Sequence, residues 1–228
     1  MTDPLESRRL SKKRSFARRF GPELLGARLS DCHRDGRTSV EQQSNLYHLL
    51  SQVLAYGVEG ALVEIGPMTG TSAVMAQWIV GVEGAGQPLQ VFEGTPCEQD
   101  SPRAVGALSE PFLATSGIAP IFHTGDLRDT IPRELPAQIA YVNLDCGYGL
   151  TAAEHAALLA HLLAQLYPRL ARGAVCSLFE YWRGGWHDHI YDAHPGVRPA
   201  ADAFMADKPE KITVLHGGER AHAYFRKL

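Results

Sequence analysis

The residues with chemistry to offer stand where strand-like runs end. The stretch "LVEIGPMTGTSA", residues 62–73, closes an apolar run on Glu64 and follows it with Gly66, Gly70 and the hydroxyl of Ser72. Glycines at such a turn allow close backbone approach, and the helix start that follows offers free N–H groups. A dinucleotide loop would read G-x-G-x-x-G with its acid about 20 residues later. Here the acid precedes the first glycine, where it would repel phosphate oxygens and attract an ammonium or sulfonium group. That is the chemistry of a cationic, phosphate-free cofactor, and S-adenosylmethionine is one. Glu93, after "LQVF", is placed to accept both hydroxyls of a ribose, and Asp126, after "APIFH", to accept from an adenine amino group.

The elements that must position these groups alternate. Thr38 and Glu41 form a capping box ahead of Leu46, Leu49, Leu50, Val53 and Leu54 at helical spacing, which predicts a helix over 39–56 stopped by Gly57. Strands are expected at 61–65, 89–92, 119–123, 139–145 and 174–179, and helices at 71–80, near 103–115, at 152–166 and near 199–207. The helix over 152–166 opens on a second capping box, Thr151 with Glu154, and is broken by Pro168. Segments 211–216 and 220–227, around Gly217-Gly218, have the spacing of a hairpin. The fold class is therefore α/β and Rossmann-like, mostly parallel, with helices on both faces and an antiparallel C-terminal hairpin strand. Ligands in such sheets bind at the carboxyl ends of the strands, which places residues 64–72, Glu93, residues 123–126, Asp145 and Glu180 on one rim. His123 and Cys146, also at strand ends, read as packing residues.

Composition narrows the partners. The chain of 228 residues is 45% apolar and 21% charged with a net charge of −3, so nucleic acid is not an expected partner. Residues 1–20 carry seven Lys or Arg against Asp3 and Glu6, a net +5, leaving −8 on the remainder. Residues 1–37 read as a basic, solvated extension and 38–228 as one domain. No apolar run approaches the roughly 18 residues of a membrane span and no signal-type segment follows the first Met, so a cytoplasmic protein is expected. Cys32, Cys97, Cys146 and Cys176 form no C-x-x-C pair and read as reduced packing residues.

The runs "SVEQQSNLYHLLSQVLAYGVEGALVEIGPMTGTSA", "GDLRDTIP", "IAYVNLD", "YPRLARGAV" and "EYW…GWHDH" resemble the macrocin O-methyltransferase family of class I S-adenosylmethionine-dependent methyltransferases. The resemblance runs from Ser39 to Leu228. It implies a seven-stranded methyltransferase sheet, methylation of hydroxyls, in many members sugar hydroxyls on natural products, and cofactor contacts at Glu64, Gly66, Gly70 and Ser72. Glu93 aligns with the family in either of two registers, and Met68 stands where many methyltransferases have a third glycine. The resemblance also implies a divalent metal held by paired acids after the fourth and fifth strands. Asp145 matches the first acid of one pair, with Gly147 in place of the second. Glu180 matches the last acid of the other, with Phe179 in place of its partner. Mg²⁺ needs oxygen ligands of this kind. With two of the four gone, retention of the metal is disfavoured and no residue is assigned as a ligand.

The loop after the fifth strand offers another route to deprotonating an acceptor. His187 and His189 flank Asp188 beside Trp182 and Trp186, and the unperturbed pKa of a histidine side chain, about 6.5, suits general-base work at neutral pH. His189 is the better match to the resembled family. A zinc site built from His187, Asp188, His189 and His194 is disfavoured, because H-x-H spacing in a glycine-containing loop is common without metal. The expectation is an S-adenosylmethionine-dependent O-methyltransferase for a small hydroxylated acceptor, with Asp145 and Glu180 positioning that acceptor and His189 as base. Its competitor is a protein that binds S-adenosylmethionine but has lost transfer and serves a regulatory or non-methylating role. A nicotinamide enzyme ranks last, since G-x-G-x-x-G is absent, and a homo-oligomer stays open.

Overall fold

The computed structural model describes residues 39–67, 70–83, 85–94, 119–147, 149–181, 196–217 and 222–228. The basic extension, the expected helix near 103–115, and His189 with the loop around it lie outside those residues.

Helix α1 (Val40–Ala55) starts one residue later than its sequence suggested. The hydroxyl of Ser39 accepts from the Gln42 amide at 3.0 Å, and the Gln42 side chain accepts from the Ser39 amide at 3.1 Å. The box is thus Ser39–Gln42, not Thr38–Glu41. The choice is tertiary, because the Ser39 hydroxyl also donates to the Gly217 carbonyl at 2.6 Å.

Strand β1 (Ala61–Ile65) leads to α2 (Thr71–Glu83), then β2 (Leu89–Glu93) and β3 (Ile121–Thr124). A helix the sequence reading did not mark, α3 (Leu127–Glu134), follows. Asp126 caps it, accepting from the Arg128 amide at 2.8 Å. Pro132 inside the segment disguised it, yet in so short a helix the missing N–H touches only the last turn. Strand β4 (Ile139–Leu144) and α4 (Ala152–Leu166) come next, the latter opened by Thr151–Glu154 and ended by a 3₁₀ turn at Tyr167–Arg169. Strand β5 spans Leu170–Phe179, four residues longer than the apolar run "AVCSLF", because Leu170 pairs with Ile139 and the Gly173 amide donates to the Lys227 carbonyl. Helix α5 (Val197–Met205) and the strands β6 (Thr213–Leu215) and β7 (His222–Arg226) complete the described chain.

One seven-stranded sheet results, in the order β3-β2-β1-β4-β5-β7-β6. The first five strands are parallel, and β7 runs antiparallel between β5 and β6. Chain order reverses between β1 and β4, both buried along their whole length, so the ligand crevice of this topology opens at their carboxyl ends. Helices α1 and α2 pack together on one face of the sheet, and α3, α4 and α5 on the other.

At the opposite end of β5 a clasp holds the final residues. Buried Glu210 accepts from the Tyr167 hydroxyl at 2.7 Å, the Lys227 ammonium at 2.9 Å and the Leu228 amide at 3.2 Å. Burial pushes this carboxyl up, but the donors outweigh it and hold it down at about 2. Among the described residues no helix is long and apolar enough to cross a membrane.

Candidate active site

The loop after β1 lies directly on the end of β4. Gly66 sits at φ +80°, and a Cβ on it would come within 2.7 Å of the Asp145 carbonyl carbon and 2.8 Å of the Cys146 Cα. No side chain fits there. The Gly66 amide donates to the Phe92 carbonyl of β2 at 2.9 Å, and the Asp145 amide to the Ile65 carbonyl at 3.0 Å. The three strand ends are stitched into one floor. Gly70 then opens α2, its carbonyl accepting from the Val74 amide at 2.9 Å.

Glu64 lies inside the protein, 1% exposed, with Oε1 accepting from the Ser72 hydroxyl at 2.5 Å and from the Asn143 amide at 3.0 Å. Burial raises its pKa to about 7 against the pull of those two donors. Asn143 escaped the sequence reading, although a polar side chain in the middle of "IAYVNLD" was the available signal. Its Oδ1 is buried without a hydrogen-bond partner among the described residues. Glu64, Asn143 and Ser177 pair in register across β1, β4 and β5 and so share one face of the sheet.

Glu93, 9% exposed, ends β2 two residues beyond Val91, the partner of Glu64, and so shares that face one step nearer the rim. Asp126 is exposed on the rim, with one carboxylate oxygen spent on capping α3. His123 and Cys146 pack. The His123 ring stacks on Phe92 at 4.4 Å, and burial pushes the Cys146 thiol up to about 12.

Across the crevice, Glu180 follows β5 at φ +57° while 4% exposed. A side chain in that left-handed region is strained and must be held there by its surroundings. The neighbours on either side hold it. The Phe179 ring packs on His222 at 4.6 Å, and the Tyr181 hydroxyl donates to Asp202 of α5. Burial raises the Tyr181 hydroxyl to about 12, so it stays a donor.

His222 was also missed. It is fully buried between the Ser177 hydroxyl, 2.6 Å from Nε2, and the Asn45 amide, 3.1 Å from Nδ1. The Asn45 amide nitrogen donates to the His216 carbonyl at 2.8 Å and to Nδ1, which assigns the proton to Nε2 and directs it at Ser177. Burial lowers the imidazole pKa to about 3. The ring is neutral and ties α1, β5 and β7 together beneath Phe179.

The structure therefore brings Glu64, Gly66, Ser72 and Asp145 together at the switch point, with Gly70 at the helix start, Glu93 one strand away on one side and Glu180 one strand away on the other. Asp126 stands further out on the rim beyond β3.

No protein-family model and no curated relative matches the chain. Solved structures do. The apo structure of CalS11, a TDP-rhamnose 3′-O-methyltransferase of calicheamicin biosynthesis, is 19% identical over 99% of this chain and 96% of its own, with a TM-score of 0.63. The O-methyltransferase NovP is 16% identical over 82% and 80%, at 0.59. TomG, an O-methyltransferase from Streptomyces achromogenes involved in tomaymycin synthesis and solved with S-adenosylmethionine, is 16% identical over 83% and 79%, at 0.53. At these identities the likeness is one of fold: the chain is built on the seven-stranded Rossmann-like sheet of the S-adenosylmethionine-dependent O-methyltransferases.

Proposed function

We propose that this protein is an S-adenosylmethionine-dependent O-methyltransferase acting on a hydroxyl of a small natural-product or sugar acceptor. The observation that carries the reading is the cradle at the switch point. Gly66 brings bare backbone against the end of β4 while Glu64 and the unpartnered Asn143 Oδ1 lie side by side beneath it. Two adjacent buried acceptors suit a cation and repel a phosphate. Glu64, Gly66, Gly70 and Ser72 would hold the methionine end, Glu93 the ribose hydroxyls, and Asp126 the adenine edge. Bound there, the cofactor supplies a methyl group on a sulfonium that is already an activated leaving group.

What remains for the protein is alignment and a proton. Asp145 and Glu180, on neighbouring strand ends across the crevice, would fix the acceptor hydroxyl. The strained backbone at Glu180 supports such a role, since conformations of this kind persist where the surroundings impose them. His189 is the proposed base that takes the hydroxyl proton. The acceptor class rests on the resemblance of the sequence to the macrocin O-methyltransferases and on the sugar-nucleotide substrate named for CalS11.

Calorimetry with S-adenosylmethionine and S-adenosylhomocysteine, followed by a search for S-adenosylhomocysteine release with hydroxylated acceptors including nucleotide-linked deoxysugars, tests the reading. Failure to bind either ligand would overturn it. Tight binding with no turnover on any acceptor would instead favour a binding protein that no longer transfers methyl groups, a reading motivated by Gly147 and Phe179 in place of two acids.

A further inference from the structure

The sequence resemblance implies a divalent ion held by carboxylates at 145 and 147 and at 179 and 180. We infer that the acceptor side of this site operates without that ion, because the imidazole of His155 fills the space of the second carboxylate. The inference rests on the methyl-transfer reading only for where the acceptor lies.

Gly147 stands at φ +95°, a conformation side chains rarely adopt, and a Cβ there would fall 2.6 Å from Nε2 of His155 and 3.1 Å from its Cγ. The ring is enclosed on all sides by protein. His155 is fully buried in the first turn of α4, downstream of the Thr151–Glu154 cap. Gly196 in turn lies against the stem of the same residue, since a Cβ on it would meet the His155 Cβ and carbonyl carbon, each at 2.7 Å. One helix residue thus fills the gap between the loop after β4 and the entry to α5, and two glycines allow it.

The second pair fails for a separate reason. Phe179 is buried against His222 and contributes a ring where the pattern has an oxygen ligand. Of four anionic ligands only Asp145 and Glu180 are left; two carboxylates and water can hold Mg²⁺, but here the places of the other two are taken by the His155 imidazole and the apolar Phe179 ring. Among the described residues no group of three His, Cys, Asp or Glu is arranged to hold a metal ion. In place of the ion, His155 acts as a positioning residue. It sets the height of the loop that carries Asp145 and of the turn from which α5 starts.

The test uses the full chain with S-adenosylhomocysteine bound and Mn²⁺ as the probe ion, read by electron paramagnetic resonance and calorimetry. The wild type is expected to show no stoichiometric submillimolar site, or one insensitive to both Asp145→Asn and Glu180→Gln and therefore elsewhere. A stoichiometric site abolished by either substitution would overturn the inference. The steric half is read separately from thermal melts. Gly147→Asp is expected to lower Tm by several degrees through overpacking and the unfavourable φ, and His155→Ala in the same chain to recover part of that loss. Gly147→Asp with an unchanged Tm would show that His155 does not occupy the ligand's space. Loss of S-adenosylhomocysteine binding by the wild type would sink the cofactor reading and leave the Mn²⁺ result standing on its own.

Discussion

The hydroxyl of Ser72, in the first turn of α2, donates to Oε1 of Glu64 in β1 at 2.5 Å, so the two ends of the loop between them are fastened to each other through a buried carboxylate. That carboxylate titrates near neutrality, at about 7. A raised acid pKa means that the folded state prefers the protonated form. The stabilising contribution is therefore full below the ordinary value of 4.5 and is lost as pH rises through 7.

Replacing Glu64 by Gln removes this titration. Relative to wild type, the Tm of the ligand-free Glu64→Gln protein should climb between about pH 5 and about pH 8, for a differential on the order of 3 kcal/mol. A cation bound above the loop should also draw the proton off Glu64. Calorimetry of S-adenosylmethionine binding in two buffers of different ionisation enthalpy should then reveal proton release near pH 7 in wild type and none in Glu64→Gln. Equal proton release in both proteins would exclude Glu64 as its source.

The φ of +57° at Glu180 makes a second prediction independent of any ligand. Glu180→Gly and Glu180→Ala delete the same carboxylate, but only glycine is at ease in that conformation. Glycine should be the more stable of the two by about 1 kcal/mol in urea denaturation, and both should lose turnover. An alanine variant as stable as the glycine variant would contradict strain at this position.

His222 should keep its proton on Nε2 and remain uncharged far into acid. Nitrogen-15 side-chain spectra are expected to show this neutral tautomer at about pH 4.5, where an ordinary imidazole is fully charged. The linkage runs opposite to that of Glu64. A lowered histidine pKa leaves its contribution intact above 6.5 and removes it as pH falls from 6.5 toward 3. His222→Phe, which leaves Ser177 and Asn45 facing an apolar ring, should cost about 1–3 kcal/mol by chemical denaturation and flatten that acid limb.

Glu210 gives a control far from the crevice. Glu210→Gln weakens the bonds from Tyr167, Lys227 and Leu228 and should lower Tm by several degrees, while S-adenosylhomocysteine affinity stays within about two-fold. Because Glu210 is held down at about 2, its contribution is present above 4.5 and fades as pH drops toward 2, so the gap between variant and wild type should narrow there.

What was legible in the sequence follows from the range of the forces involved. Strands β1 and β4 are buried throughout, so they read as continuous apolar runs, and α4 is bounded by a local cap and a proline. The start of α1 was misread by one residue because two overlapping capping boxes were available and a carbonyl 178 positions away selected the second. On the site side, the glycine loop and strand-end acids could be placed from the order of elements alone. Asn143, Ser177 and His222 were not placed, since each finds its polar partners only on elements distant in the chain. The meeting of Gly147 with His155 was hidden although the two are near in sequence, because it depends on a positive φ and on the close approach of Gly196 to the His155 backbone and Cβ.

The position of β7 between β5 and β6 constrains the order in which the protein can be made. A chain leaving the ribosome can pair β1 to β5 as they appear, but β6 emerges before its hydrogen-bonding neighbour exists. Until β7 inserts, the outer edge of β5 is open, Ser177 lacks His222, and Phe179 lacks the ring that holds it beside Glu180. The rim around Phe179 and Glu180 is consequently among the last parts of the molecule to form, and a stalled or truncated chain would display a sticky strand edge in its place.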